Sequence, residues 1–163
     1  MSRVLFVGIF AVTGLVAGCQ QPPSGSAVAP AAHDAPQLVF RDLLQKGDYA
    51  GAIRFVEQSS AAQPEKDGVN GTLILDSWVD PNALTRPPYP LATGFESLER
   101  AAAAGRVQSA TDLAAKFTTG LNHEGKNVLM PPNPALAQCW SKVGQGNEEP
   151  ATCIALRKQL GVP

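Results

Sequence analysis

The sequence predicts an all-α fold for residues 36–163, and three observations carry that expectation. Apolar residues recur at i, i+3 and i+4 through most of the stretch. The periodic segments are separated by Gly, Pro and Asn clusters of the kind that end one helix and begin the next. Long alternating apolar–polar runs, the mark of half-buried strands, are missing.

Ahead of that domain the chain reads MSRVLFVGIFAVTGLVAGCQQ. One cation, Arg3, precedes an uncharged apolar run from Val4 to Val16, and the small residues Ala17 and Gly18 lead into Cys19. The run is too short and too quickly broken for a spanning helix, and the layout is that of a secretory leader. Val16-Ala17-Gly18-Cys19 resembles the lipobox of bacterial lipoproteins. The resemblance implies cleavage after residue 18, acyl chains such as palmitate on Cys19, and, because Gln20 rather than Asp follows, sorting to the periplasmic face of a Gram-negative outer membrane. Residues 20–35, QQPPSGSAVAPAAHDA, hold little that packs and read as a flexible tether. Such a lead averages roughly 20–25 Å as a coil and reaches about 55 Å fully extended. The expected organisation is thus a leader over 1–18, an acylated cysteine and tether over 19–35, and a domain over 36–163.

Removal of residues 1–18 takes away one of the 13 basic residues and none of the 14 acidic ones, leaving 12 against 14. A near-neutral surface argues against nucleic acid as a partner. The 128 residues of 36–163 suffice for one core.

Within the domain, PQLVFRDLLQKGDYAGAIRFVEQ sets Val39, Phe40, Leu43 and Leu44 on one face, breaks at Lys46-Gly47-Asp48, and resumes with Tyr49, Ala52, Ile53 and Val56. Asp48 is placed to cap the second helix. TLILDSWV, residues 72–79, fits a strand as well as a helix by pattern, and is read as helix because a lone strand has no partner. A long proline-rich connector, with Arg86-Pro87-Pro88-Tyr89-Pro90, then leads to LATGFESLERAAAAG, whose face is Leu91, Phe95, Leu98 and Ala102. SATDLAAKFTTGL follows with Ala110, Leu113, Ala114, Phe117 and Leu121. The last pair carries Leu136, Cys139, Trp140 and Val143, then Cys153, Leu156 and Leu160.

A shift of 41 residues lays Gly105 on Gly146, Ala110 on Ala151, Leu113 on Ile154 and Ala114 on Ala155. A shift of 42 lays Glu57 on Glu99 and Ala62 on Ala104. The units SLERAAAAGRVQSA, DLAAKFTTGLNHEGKNVLMPPNPALAQCW and SKVGQGNEEPATCIALRKQLG resemble Sel1-like repeats, relatives of the tetratricopeptide repeats, over residues 92–161. That resemblance implies a short α-solenoid of antiparallel helical hairpins.

A single helix over 139–153 would separate its two cysteines by about 21 Å, whereas a disulfide needs Cα atoms within about 4.4–6.8 Å. Gly144, Gly146 and Asn147 supply a stop and an N-cap, Glu148 and Glu149 suit the positive end of a new helix, and Pro150 is tolerated in its first turn. The chain therefore turns back near Gly146, the two sulfurs reach matching heights, and the exported compartment permits a Cys139–Cys153 disulfide. A metal or reactive thiol would need more ligands than His33 and His123 provide, so no metal and no cofactor are expected.

Other motifs lead nowhere. Gly120–Asn127 spells G-x-x-x-x-G-K but lacks the following Ser or Thr and the preceding strand of a phosphate loop. His123-Glu124 lacks the second histidine of a zinc helix, and Asn70-Gly71-Thr72 matches a glycosylation sequon of no weight in a bacterial lipoprotein. The connector reads as a rigid link or a polyproline-like ligand. Trp78, Tyr89 and Trp140 are candidate partner contacts, because aromatics dominate interface energetics, although each reads more readily as partly buried core.

Two functions of different class follow. The first is a membrane-anchored interaction module that holds another envelope protein or peptide, an adaptor or assembly factor of the kind Sel1-like and tetratricopeptide-like lipoproteins imply. The second is a small envelope enzyme, or an enzyme inhibitor, acting at peptidoglycan with Glu96 and Glu99 as a carboxylate pair. A deep cleft with a raised carboxyl would favour the second, and an aromatic-lined groove the first.

Overall fold

The computed structural model describes residues 35–123 and 127–163, so the leader, Cys19, the tether with His33, and residues 124–126 lie outside it. The described chain runs α1 (Ala35–Gln45), α2 (Tyr49–Gln58), α3 (Gln63–Val79), α4 (Leu91–Ala103), α5 (Val107–Thr119), β1 (Leu121–His123), β2 (Asn127–Met130), α6 (Pro134–Gly144) and α7 (Pro150–Gln159). Each helix packs on the next in sequence, and α7 also returns to touch α4. Among the described residues no helix is long and apolar enough to cross a membrane.

The predominantly helical expectation holds, and residues 72–79 are the second half of α3. Three of the corners share one construction. Gly47, Gly105 and Gly146 have φ of 68°, 90° and 73°. Each donates its N–H to the carbonyl three residues back, while the following N–H reaches five back: Gly47 to Leu44 and Asp48 to Leu43, Gly105 to Ala102 and Arg106 to Ala101, Gly146 to Val143 and Asn147 to Lys142. This is the Schellman arrangement, in which a left-handed residue satisfies carbonyls that the helix end leaves over. Asp48 caps α2 as expected, its carboxylate accepting from Gly51 N at 2.8 Å.

Four expectations need correction. Leu121 does not continue α5: Gly120 at φ 70° ends that helix, and Leu121 opens β1. β1 and β2 form an antiparallel hairpin with Leu121 opposite Met130, where the all-α reading has no strand. The chain is extended there because Pro131 and Pro132 disfavour helix before them, and buried Leu121 and Met130 pin the pair to the core. The N-cap of α7 is Glu149, not Asn147, and its side chain makes no capping bond. Leu160 follows the end of α7 and faces solvent rather than completing its apolar face.

The core has two parts, and α3 serves both. Leu75 joins the larger cluster with Phe95, Leu98, Leu113, Phe117, Leu136 and Trp140, where the Phe95 and Phe117 rings stack with centroids 5.1 Å apart. Leu73 and Ile74 join the smaller one with Tyr49, Ala52, Ile53 and Val56. α3 crosses α4 almost backbone to backbone: a Cβ on Gly71 would lie 2.8 Å from the carbonyl oxygen of Gly94. By contrast, α1 buries none of Pro36–Gln45 completely and rests on its neighbour through Phe40, Leu43 and Leu44.

Candidate functional site

Cys139 and Cys153 are joined, with sulfurs 2.01 Å and Cα atoms 5.7 Å apart, and both are buried. Trp140, proposed as a partner contact, is fully buried, because Leu136, Cys139 and Trp140 all face the α5 side of the core; it packs rather than binds. Trp78 is half-buried against the smaller cluster, and the Arg86 guanidinium lies 5.8 Å from the centre of its ring. Tyr89 is 36% exposed. The three aromatics therefore do not converge on one surface.

Glu96 and Glu99 do not form a catalytic pair. Glu96 is exposed, while Glu99 is 4% exposed and committed to Arg157. Its two oxygens accept from Arg157 Nε at 2.6 Å and Nη2 at 2.9 Å, and Arg157 Nη1 donates to the Val162 carbonyl at 3.1 Å. A general acid working near neutrality needs its carboxyl raised. The carboxyls that are displaced here move down instead. The Thr85 hydroxyl, then the Gly51 amide, lower Asp48; the Asn82 amide, then the Tyr49 hydroxyl, lower Asp80; Arg106 lowers Glu65. Burial, reinforced by Asp80, pushes the Tyr49 phenol up.

The same bonds fix the proline-rich connector. Gly47 carbonyl accepts from Leu84 N at 3.0 Å and Thr85 N at 3.3 Å, Tyr49 donates to Asp80 at 2.8 Å, Thr85 donates to Asp48, and Arg86 Nε donates to the Ser77 carbonyl at 3.1 Å. Pro87 is buried. Residues 80–90 are a fastened strap across the α1–α2 corner.

Two concave features stand out on the described surface. The first is an apolar groove of about 450 Å³ between α1, α2 and the start of α3, walled by Phe40, Phe55, Val56 and Val69 with Glu65 and Lys66 at its edge. The Phe40 and Phe55 rings meet across it at 6.0 Å, and α1 also exposes Leu38 and Val39. The second is a polar cleft of about 420 Å³ between α2, α3 and α4, with Tyr89 among its lining residues. The sequence carried one signal of the groove: Phe55 falls off the Tyr49, Ala52, Ile53, Val56 stripe, so a large ring was left without a place in the core. The cleft left no such mark, since its polar residues look like ordinary solvated helix faces.

The G-x-x-x-x-G-K lookalike has Gly120 at a close backbone approach, where a Cβ would lie 2.6 Å from the Met130 carbonyl oxygen. Its Glu124, Gly125 and Lys126 lie outside the described residues. Among those that are described, no three His, Cys, Asp or Glu side chains gather as a metal site would need. No protein-family model, no curated protein and no solved structure matches the chain.

Proposed function

We propose that this protein is a lipid-anchored interaction module of the bacterial envelope, which uses the α1–α2–α3 groove to hold an apolar segment of a second envelope protein. The groove carries the reading: facing phenylalanines in an open, apolar depression suit a bulky apolar side chain, and the charged edge from Glu65 and Lys66 can orient it. The groove also begins at Pro36, where the tether ends, so the lipid on Cys19 would hold it close to the membrane. The repeated glycine corners favour a stack of helical hairpins, in keeping with the Sel1-like resemblance. The enzyme reading has lost its carboxylate pair to the Glu99–Arg157 bond.

A photo-crosslinking amino acid at Gln37 or Ser59, on the groove, tests this in intact envelopes. We expect a single dominant adduct, mapped by mass spectrometry to an apolar segment of another protein, that disappears with Phe55→Glu. The same probe at exposed Val107 should give no such adduct. An adduct equal at both places, or none in a protein bearing Cys19, would defeat the docking reading. Failure of labelled palmitate to enter the wild-type protein, judged against Cys19→Ser, would defeat the anchor.

A further inference from the structure

The polar cleft is built from three helical stripes. Ile53 and Glu57 come from α2, Lys66, Asn70 and Ile74 from α3, and Thr93, Ser97 and Arg100 from α4, each at one or two turns' spacing. The two isoleucines are its only aliphatic residues, and the rest offer hydrogen bonds.

Its charges cancel. Arg100 pairs with Asp67 at 3.3 Å and also donates to Ser97 Oγ at 3.0 Å. Lys66 donates to the Glu57 backbone carbonyl at 2.8 Å, and Glu57 also lines the cleft. Two cations face two anions, so neither an anionic nor a cationic ligand is favoured. Instead the Arg100–Asp67 pair presents donors and acceptors side by side, as an alcohol requires.

Hydrogen-bonding capacity is also left over. Asn70 Oδ1 is shielded from solvent and has no partner, and no partner is found among the described residues for the Thr93 or Tyr89 hydroxyls. A buried acceptor without a donor is unfavourable, and a turn of the Asn70 amide that brings the oxygen to the cleft surface would let a ligand or water supply the donor. Tyr89 stands between Pro88 and Pro90, so its backbone has little freedom to lose when its half-exposed ring meets a ligand.

A neutral cleft rich in donors and acceptors, lined by one aromatic ring, matches a pyranose. Each sugar hydroxyl both donates and accepts, and one face of the ring is made of C–H bonds that lie against an aromatic. A peptide segment of the same size would bring fewer hydrogen-bonding groups and would want apolar pockets that this cleft lacks. The volume lies within the range of small-ligand pockets, roughly 300–1,000 Å³. We propose that this cleft binds a neutral saccharide, with Asn70, Thr93 and Arg100 bonding its hydroxyls and Tyr89 stacking on its ring. The cleft shares only Lys66 with the apolar groove, and its test does not depend on the docking reading.

The full acylated chain in a sugar-free zwitterionic detergent is mixed with millimolar chitotetraose, cellotetraose or maltotetraose, and saturation-transfer NMR reads contact. At least one tetrasaccharide should receive saturation, with Tyr89→Ala weakening its binding about tenfold and Asn70→Ala abolishing it. Because Asn70 Oδ1 has no partner within the chain, Asn70→Ala should leave the melting temperature unchanged or raised, which separates a ligand contact from a structural one. The proposal is overturned if none of the three sugars is contacted, if contact survives both substitutions, or if a neutral tetrapeptide shifts the cleft's backbone amides while the sugars do not.

Discussion

Glu99 and Arg157 meet across 58 residues of sequence and sit at 4% and 5% exposure, yet neither stands out in the sequence. In an alanine-rich helix Glu99 looks like half of an exposed acidic pair with Glu96. Its burial follows from its place beside Leu98 and Ala102 on the face that α7 covers. Two charges withdrawn from water are tolerable only because the carboxylate is met by two guanidinium nitrogens and the third nitrogen finds the Val162 carbonyl. Removing one partner leaves the other charge stranded. Glu99→Gln should therefore destabilise by about 3–5 kcal/mol, a fall in melting temperature of roughly 10 °C or more. The double change Glu99→Leu with Arg157→Met should recover most of that loss. Denaturant melts of the three proteins check this, and a single substitution no worse than an ordinary surface change would refute the account.

Among the elements, α3 and α4 make the most extensive contact, and glycines set how closely they approach. Gly71 and Gly94 oppose each other: a Cβ on the first meets Gly94 O and Leu98 Cγ, both at 2.8 Å, and on the second meets Leu75 Cδ2 at 2.7 Å. Replacing a mid-helix glycine by alanine ordinarily gains about 0.5–1 kcal/mol. Here a methyl group driven into a backbone carbonyl of the next helix costs about 1–3 kcal/mol, and the overpacking wins. Gly71→Ala should therefore lower stability, measured by thermal melting, and a rise would show that the helices can separate cheaply.

The same helix shows why the sequence was legible only in part. α2, α4 and α5 each turn one apolar stripe to the core, and periodicity finds them. α3 buries Leu73, Ile74 and Leu75 in succession because it lies between two clusters, so its pattern resembles a strand as much as a helix. The β1–β2 hairpin was hidden because its two short strands carry too few alternations to register. The disulfide was legible because Gly146 and Pro150 force a corner between two cysteines. Of the groove only the misplaced Phe55 gave a sign, and of the cleft nothing did, because each is assembled from segments that no local pattern connects.

Across the whole molecule, the C-terminal end adds two cross-links to the partial packing of Ile154, Leu156 and Val162 on the core. Only Cys153 and Arg157 of α7 are buried, one held by sulfur and one by charge. The disulfide closes a loop of about 15 residues, for which loss of the cross-link costs about 3 kcal/mol. Reduction should release α7 before the rest. Hydrogen exchange followed by mass spectrometry, with and without reductant, should show amides of α7 losing protection while those of α3 to α5 keep theirs. Uniform loss across all helices would contradict it.

The opposite end is fastened far less firmly, and that asymmetry has a mechanical side. Any pull along the N-terminal lead enters the domain at Ala35, the first residue of α1, a helix that buries none of Pro36–Gln45 completely. Tension would peel α1 away long before it reached the glycine-packed centre or the cross-linked C-terminal hairpin. Pro36, Gln37 and Phe40 would leave with it, and they form one wall of the apolar groove. The groove thus keeps that wall only while the lead is slack.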